Sequence, residues 1–355
     1  MAKKRLRGVF SFTATPMRDD GATIDLDRLR SHLDWQTENG VHGIAVLGST
    51  GSNGSFSEKE REELIRVTVK HVNGRLPVMA GTGSITTDEA VRMSRFAEDV
   101  GADAVIVVPI TYWPLTDNEV YEHYSRIAKA IKIPVIVYNN PGTTGVDIKP
   151  PLLARLAEIE NIRGVKESSG DLSRITQIRM LTKGKMTVFH GWEPITLQGF
   201  AAGADGWCPG LANVLPRVCA QLFELCVENK DLAAAQILFD RMFPICKLMG
   251  DTGYIRVVHT ALELMGRPVG PPRRPLRMLD AEHRTQLISI LQSLGVLGAG
   301  TGCRVIGNIA QEPTAEARPW RRKLPRTMRR RRRGERIVEG TRGRTTCQHR
   351  AAEPS

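Results

Sequence analysis

The sequence has no run of about 18 consecutive apolar residues, so no segment reads as a membrane-spanning helix. Its six cysteines, Cys208, Cys219, Cys226, Cys246, Cys303 and Cys347, form no C-x-x-C pair, and no H-E-x-x-H occurs. Both absences argue against a zinc site or a disulfide framework and for reduced, buried thiols. The basic start, MAKKRLRGVFSF, is followed by no apolar signal-peptide stretch, so the expected location is the cytoplasm. The first strand-to-helix turn, TPMRDDGATI, contains no G-x-G-x-x-G, which counts against an open dinucleotide-binding sheet.

The net charge of +12 suggests nucleic acid until it is located. Residues 303–355 carry 15 Lys and Arg against 5 Asp and Glu, leaving 35 against 33 of the chain's 50 and 38 for everything before them. The body is therefore close to neutral. The segment after Leu297 has few apolar residues and no sustained period, and is expected to be disordered. Its arginine run 329–333 has no interleaved aromatics. That weakens a nucleic-acid role, which rests on this tail alone.

Before Leu297, short apolar runs alternate with amphipathic helical ones. GVFSFTATPM, GIAVLGST, PVMAGTG, AVIVVPI, PVIVYNN, IRGVKES, MTVFHG and DGWCPGL read as strands. Each is followed by a helical period, for example over 58–72, 88–100, 118–131, 150–159, 172–181, 195–202 and 216–229. Strands such as AVIVVPI are apolar on both faces, as a parallel sheet covered by helices requires. Eight consecutive units predict an α/β fold, a (β/α)₈ TIM barrel over 1–230. A small helical region over 231–297 follows, with helices near 231–248, 254–265 and 280–294, and then the basic tail 298–355.

In such barrels the reactive groups stand at the C-terminal strand ends. There the sequence places GSTG (48–51), YNNPGTTG (138–145), Lys166 in GVKESSGD, and HGWE (190–193). A lysine in a barrel mouth is poorly solvated, which disfavours an ammonium, and a neutral amine can attack a carbonyl to form a Schiff base. A lone lysine at a strand end is more readily a surface residue or an ion pair with Glu167. Its neighbours are informative. Tyr138 ends the preceding strand, where a phenol can pass protons. GSTG offers hydroxyls and close backbone N–H groups suited to a carboxylate.

With GSTG, VYNNPGTTG, GVKESSGD and AGADGWCPGLANV in this order, the chain from Gly8 to Leu297 resembles the dihydrodipicolinate synthase and N-acetylneuraminate lyase family of pyruvate-type class I aldolases. The resemblance implies that Lys166 is the Schiff-base lysine and Tyr138 the catalytic tyrosine. Ser49 and Thr50, beside Gly51, would hold a 2-oxo acid carboxylate, with Ser49 in the proton relay. It further implies a homotetramer, a small 2-oxo acid such as pyruvate as substrate, and no metal or organic cofactor. Ser168 and Glu193 resemble positions that hold sugar-acid hydroxyls, and Cys208 is expected to line the mouth through its backbone. The chain departs from the synthases at two places. Thr143 stands where they carry an arginine for the aldehyde's carboxylate. Thr111 stands where they carry an interface tyrosine, with Tyr112, one place on, a candidate subunit-interface relay. The reading is a lyase cleaving an aldol to pyruvate, or dehydrating a 2-keto-3-deoxy sugar acid. The alternatives are 4-hydroxy-tetrahydrodipicolinate synthase and a catalytically silent ligand-binding barrel.

Overall fold

The computed structural model describes residues 6–297; the basic tail and its expected disorder lie outside them. Eight short parallel strands alternate with helices: β1 (Gly8–Phe12), α1 (Leu26–Glu38), β2 (Gly43–Val46), α2 (Glu58–Val72), β3 (Val78–Gly81), α3 (Thr87–Asp99), β4 (Ala104–Val107) and α4 (Asp117–Ala130). The second half is β5 (Val135–Asn139), α5 (Pro141–Thr144), α6 (Pro150–Leu156), β6 (Ile162–Glu167), α7 (Ser173–Leu181), β7 (Thr187–His190), α8 (Thr196–Ala201), β8 (Gly206–Trp207) and α9 (Pro216–Phe223). Each strand pairs with the next and β8 pairs with β1, which closes the TIM barrel. After it come α10 (Leu232–Thr252), α11 (Tyr254–Leu264) and α12 (Ala281–Ser293).

Local sequence explains where the elements start. Ser57 caps α2 and Glu60 reaches back to the Ser57 backbone; Thr116 and Glu119 do the same for α4. Each such reciprocal box satisfies backbone N–H groups that have no partner inside the helix, and its cap contributes about 1 kcal/mol. Most helix ends lie within three residues of the sequence expectation, and two differ by more. The ninth helix, expected to reach residue 229, loosens into a π turn over Glu224–Glu228. The tenth, expected to end at residue 248, runs to Thr252 with Pro244 inside it, because its apolar face stays buried through Leu248 and Met249.

The strands' two faces serve two cores. Val46, Val105, Val107, Val137, Val165 and Val188 pack outward against the helices. Phe10, Phe12, Ala45, Met79, Ile106, Ile136, Tyr138 and Phe189 fill the barrel interior. Large rings fit there because the neighbouring strand offers none: a Cβ on Gly43 would lie 2.2 Å from the Phe10 ring. Phe10 and Phe189 meet edge to face at 5.5 Å.

A buried polar hub fixes the strand ends. Asn213, in the 3₁₀ turn after β8, accepts from the Ala14 backbone N–H at 2.8 Å and from Gln36 Nε2 at 3.0 Å, and lies 2.9 Å from His32 Nε2. Its amide donates to the carbonyls of Phe12 and Gly210, both at 2.8 Å. One residue thus ties β1, α1 and the loop after β8 together. Low-dielectric surroundings make such a fully satisfied network specific in geometry.

The buried imidazoles carry a pH dependence. Burial pushes His32, His123 and His190 down to about 4 from the ordinary 6.5. The unfolded chain takes up these protons below about pH 6.5 while the folded one stays neutral until about pH 4, so each contributes stability that is lost as pH falls through that window. Glu167 and Glu193, pushed upward by burial, act in the opposite sense. A variant isolates one imidazole. The stability advantage of wild type over His123→Gln should shrink by about 2 kcal/mol between pH 7 and pH 5. Parallel stability curves from denaturant titrations at the two pH values would contradict this.

Candidate active site

A cavity of about 280 Å³ opens at the C-terminal ends of the strands. Ser49, Thr50, Tyr138, Lys166 and Glu193 line it from β2, β5, β6 and the turn after β7, with 253–256 from the start of α11.

Register brings the central pair together. Tyr138 on β5 is directly paired with Lys166 on β6, so both side chains point into the barrel. Lys166 is 4% exposed and its Nζ donates to the Tyr138 hydroxyl at 3.1 Å. The amine sits 3.4 Å from the Phe12 ring centroid and 4.3 Å from that of Tyr138, so aromatic faces replace much of its water. The ion pair with Glu167 does not form. Adjacent strand residues face opposite ways, and the Glu167 carboxylate accepts instead from Asn139 Nδ2 at 3.0 Å and the Ser169 backbone N–H at 2.7 Å.

Tyr138 is the hub of a short relay. Asn140 Nδ2 donates to its hydroxyl at 3.1 Å, and Ser49 Oγ lies 3.2 Å away. A phenol oxygen accepts about two hydrogen bonds and donates one. With Lys166 and Asn140 donating, the Tyr138 proton is left for Ser49. An amine, a phenol and a hydroxyl are thereby chained, the arrangement needed to move protons to and from an atom bonded to the amine.

The loop carrying Ser49 is held in an uncommon shape. Leu47 has φ +59° and Ser52 φ +57°. A left-handed conformation costs a bulky residue about 1–2 kcal/mol. A Cβ at Gly81 would lie within 1.9 Å of the Leu47 carbonyl, so only glycine on β3 leaves room for that turn. On the opposite wall a Cβ at Gly191 would lie 1.9 Å from Ser168 Oγ and 2.7 Å from Lys166 Cε. The lysine stem crosses the space that glycine leaves open.

Thr143 and Ser168 line the cavity, as does Glu193. Among the described residues the buried Ser168 hydroxyl has no hydrogen-bond partner. Glu193 Oε1 accepts from the Gly210 backbone N–H at 2.8 Å, and burial raises its pKa. Two expected members stand elsewhere. Cys208 does not line the mouth: it is buried among Phe12, Tyr138 and Phe189 in the barrel interior. Burial pushes its thiol up to about 12, which keeps it protonated and unreactive. Gly51 is absent from the lining as well. It packs behind the loop, with its Cα facing the Thr13 carbonyl and its own carbonyl accepting from Thr15 Oγ1 at 2.7 Å. Tyr112 is 85% exposed beside Trp113 and takes no part in the cavity of a single chain.

Sequence reasoning missed Asn140, Trp192, Tyr254 and Arg256, all of which line the cavity. Asn140 stands two places after Tyr138 within a segment already singled out, so an amide beside a reactive phenol was the available signal. The Tyr254 phenol is pushed up by burial and by the Glu193 charge. It and Arg256 come from a helix with no sequence link to the barrel strands. Among the described residues no group of three His, Cys, Asp or Glu is arranged to hold a metal, and no helix is long and apolar enough to cross a membrane.

Residues 5–294 match the model of the dihydrodipicolinate synthetase family. The chain is 35% identical to the 4-hydroxy-tetrahydrodipicolinate synthase of Methanocaldococcus jannaschii over 82% of its own length and 99% of that protein. It is 38% identical to the enzyme of the same name from Methanoculleus marisnigri, covering 81% of this chain and 99% of that one. The crystal structure of the dihydrodipicolinate synthase from Acinetobacter baumannii complexed with pyruvate superposes with a TM-score of 0.80 at 32% identity, covering 82% of this chain and 100% of that one.

Proposed function

The chain belongs to the dihydrodipicolinate synthetase family of lyases, and from that premise we propose that it is a Schiff-base lyase in which Lys166 bonds covalently to a 2-oxo acid such as pyruvate. The observation that carries this reading is the buried Lys166 amine held 3.1 Å from the Tyr138 hydroxyl at the barrel mouth.

In the proposed sequence the neutral amine attacks the C2 carbonyl and the former carbonyl oxygen becomes the carbinolamine hydroxyl. Tyr138 protonates that hydroxyl, which leaves as water, and an iminium remains. The phenolate left on Tyr138 is the base that takes up the proton later lost from C3, directly or relayed through Ser49 at 3.2 Å. The Ser49 and Thr50 hydroxyls hold the acid's carboxylate. The iminium withdraws electrons from C3, so loss of a C3 proton gives an enamine. In the aldol direction the enamine attacks an aldehyde carbon. In cleavage the C3–C4 bond breaks and its electrons form the enamine. In dehydration a hydroxyl beyond C3 leaves as water. One enamine serves all three, so the lysine and tyrosine do not decide among them.

Within this reading the first choice is reversible aldol cleavage to pyruvate or dehydration of a 2-keto-3-deoxy sugar acid, with Ser168 and Glu193 toward the substrate's hydroxyls. Thr143, which offers the cavity no cation, supports it. The second reading, 4-hydroxy-tetrahydrodipicolinate synthase acting on pyruvate and aspartate semialdehyde, is supported by the names of the relatives. A cytoplasmic homo-oligomer, with Tyr112 reaching into a neighbour's site, fits the exposed Tyr112–Trp113 pair.

Borohydride reduction in the presence of pyruvate, followed by peptide mass mapping, tests the proposal. A reduced pyruvyl adduct on the peptide containing Lys166 is expected. An unmodified Lys166 peptide at saturating pyruvate would overturn it.

A further inference from the structure

Among the described residues, and besides its two tyrosines, the cavity is lined by three ionisable side chains, Lys166, Glu193 and Arg256. The first is committed to the covalent bond and the second accepts from Gly210. Arg256 is different. Three other arginines withdrawn from solvent meet carboxylates: Arg61 meets Glu89, Arg174 meets Asp147 and Arg273 meets Glu60. Among the described residues the Arg256 guanidinium has no such partner; its backbone carbonyl accepts from Thr260 Oγ1 at 2.8 Å.

The surroundings favour an anion. Arg256 stands in the first turn of α11, whose N-cap is Gly253 with no side chain to satisfy the free backbone N–H groups. Helix N-termini attract negative charge through those groups and the macrodipole. Independently, the Ser168 hydroxyl lines the same cavity, fully buried and unpartnered, and so calls for a polar atom on whatever fills it. A planar guanidinium with five donors suits a carboxylate in particular.

We propose that Arg256, with the first turn of α11, is a specificity-determining site for a second carboxylate, borne on the part of the substrate that lies beyond C3. The adduct formed on Lys166 would then carry an acid group at each end, one on Ser49 and Thr50 and the other on Arg256. The inference rests on the imine reading above and, within it, shifts the substrate class from an uncharged sugar tail toward a second acid group: 2-oxo diacids, or a 2-oxo acid joined to an aldehyde acid.

The test compares three probes in the borohydride assay on the full chain: pyruvate, 2-oxopentanoate and 2-oxoglutarate. The last two have equal chain length and differ in the distal carboxylate. Wild type should reach half-maximal trapping at a concentration at least tenfold lower for 2-oxoglutarate than for 2-oxopentanoate. In Arg256→Gln that ratio should fall to within about twofold of unity, and in Arg256→Lys it should recover in part. A thermal midpoint and residual pyruvate trapping show that the variants are folded. A wild type without the preference, or an Arg256→Gln protein that keeps it, overturns this inference alone. Absence of trapping with all three acids in wild type overturns the imine reading and this one with it.

Discussion

Replacing Lys166 with alanine should reduce turnover to background, a loss of more than about 10⁴-fold, and should remove the borohydride adduct entirely. On the proposed mechanism the amine is the atom that bonds to substrate, and among the described residues no other lysine lines the cavity. The oxygen functions left behind can bind an acid and shuttle protons, but none can form an iminium. The fold should survive. Truncating Lys166 enlarges a cavity already open to solvent instead of leaving a sealed void, and it removes a buried amine that is expensive to hold. Steady-state rates with intact-mass analysis measure the loss, and thermal melts measure the fold. Turnover above a few per cent in a melt-competent Lys166→Ala protein would contradict the assignment.

Tyr138→Phe should cost about 10²–10⁴-fold in turnover, the range usual for removing a positioned proton-transfer group. The substitution keeps the ring, which packs edge to face on Phe12 at 5.7 Å, and deletes only the hydroxyl. That hydroxyl joins Lys166, Asn140 and Ser49. Pyruvate trapping should persist but slow markedly, because imine formation loses its acid while the amine remains. Ser49→Ala, which removes the outer member of the relay, should lose less than Tyr138→Phe. A Tyr138→Phe enzyme within threefold of wild type would place the proton transfers elsewhere.

Both residues were legible in the sequence for a physical reason. Short β-branched runs that are apolar on both faces reveal AVIVVPI and PVIVYNN as strands of a helix-covered parallel sheet, IRGVKES takes its place in the same series, and the strands' C-terminal ends follow from the barrel. Register then sets Tyr138 beside Lys166. Proximity across the chain was less accessible. Asn213 joins segments about 200 positions apart, through hydrogen bonds with the backbone of Ala14 and Phe12 that no periodicity encodes. Arg256 and Tyr254 reach the cavity because α10 and α11 break at Gly253, whose φ of +101° turns the chain there. Cys208 was misjudged for a related reason. It follows the strand end closely, but its side chain falls on the interior face beneath the mouth. The strained Leu47 could not be foreseen at all, since leucine ordinarily avoids positive φ.

The wall supplied by 253–256 separates two tasks along the polypeptide. On the proposals made above, bond making belongs to strand ends before residue 170, whereas part of the selection of what is bonded belongs to a segment after residue 250. Exchanging that late segment between relatives would then be a compact route to new preferences: the reactive amine and its phenol stay where they are, and the reading head above them is replaced.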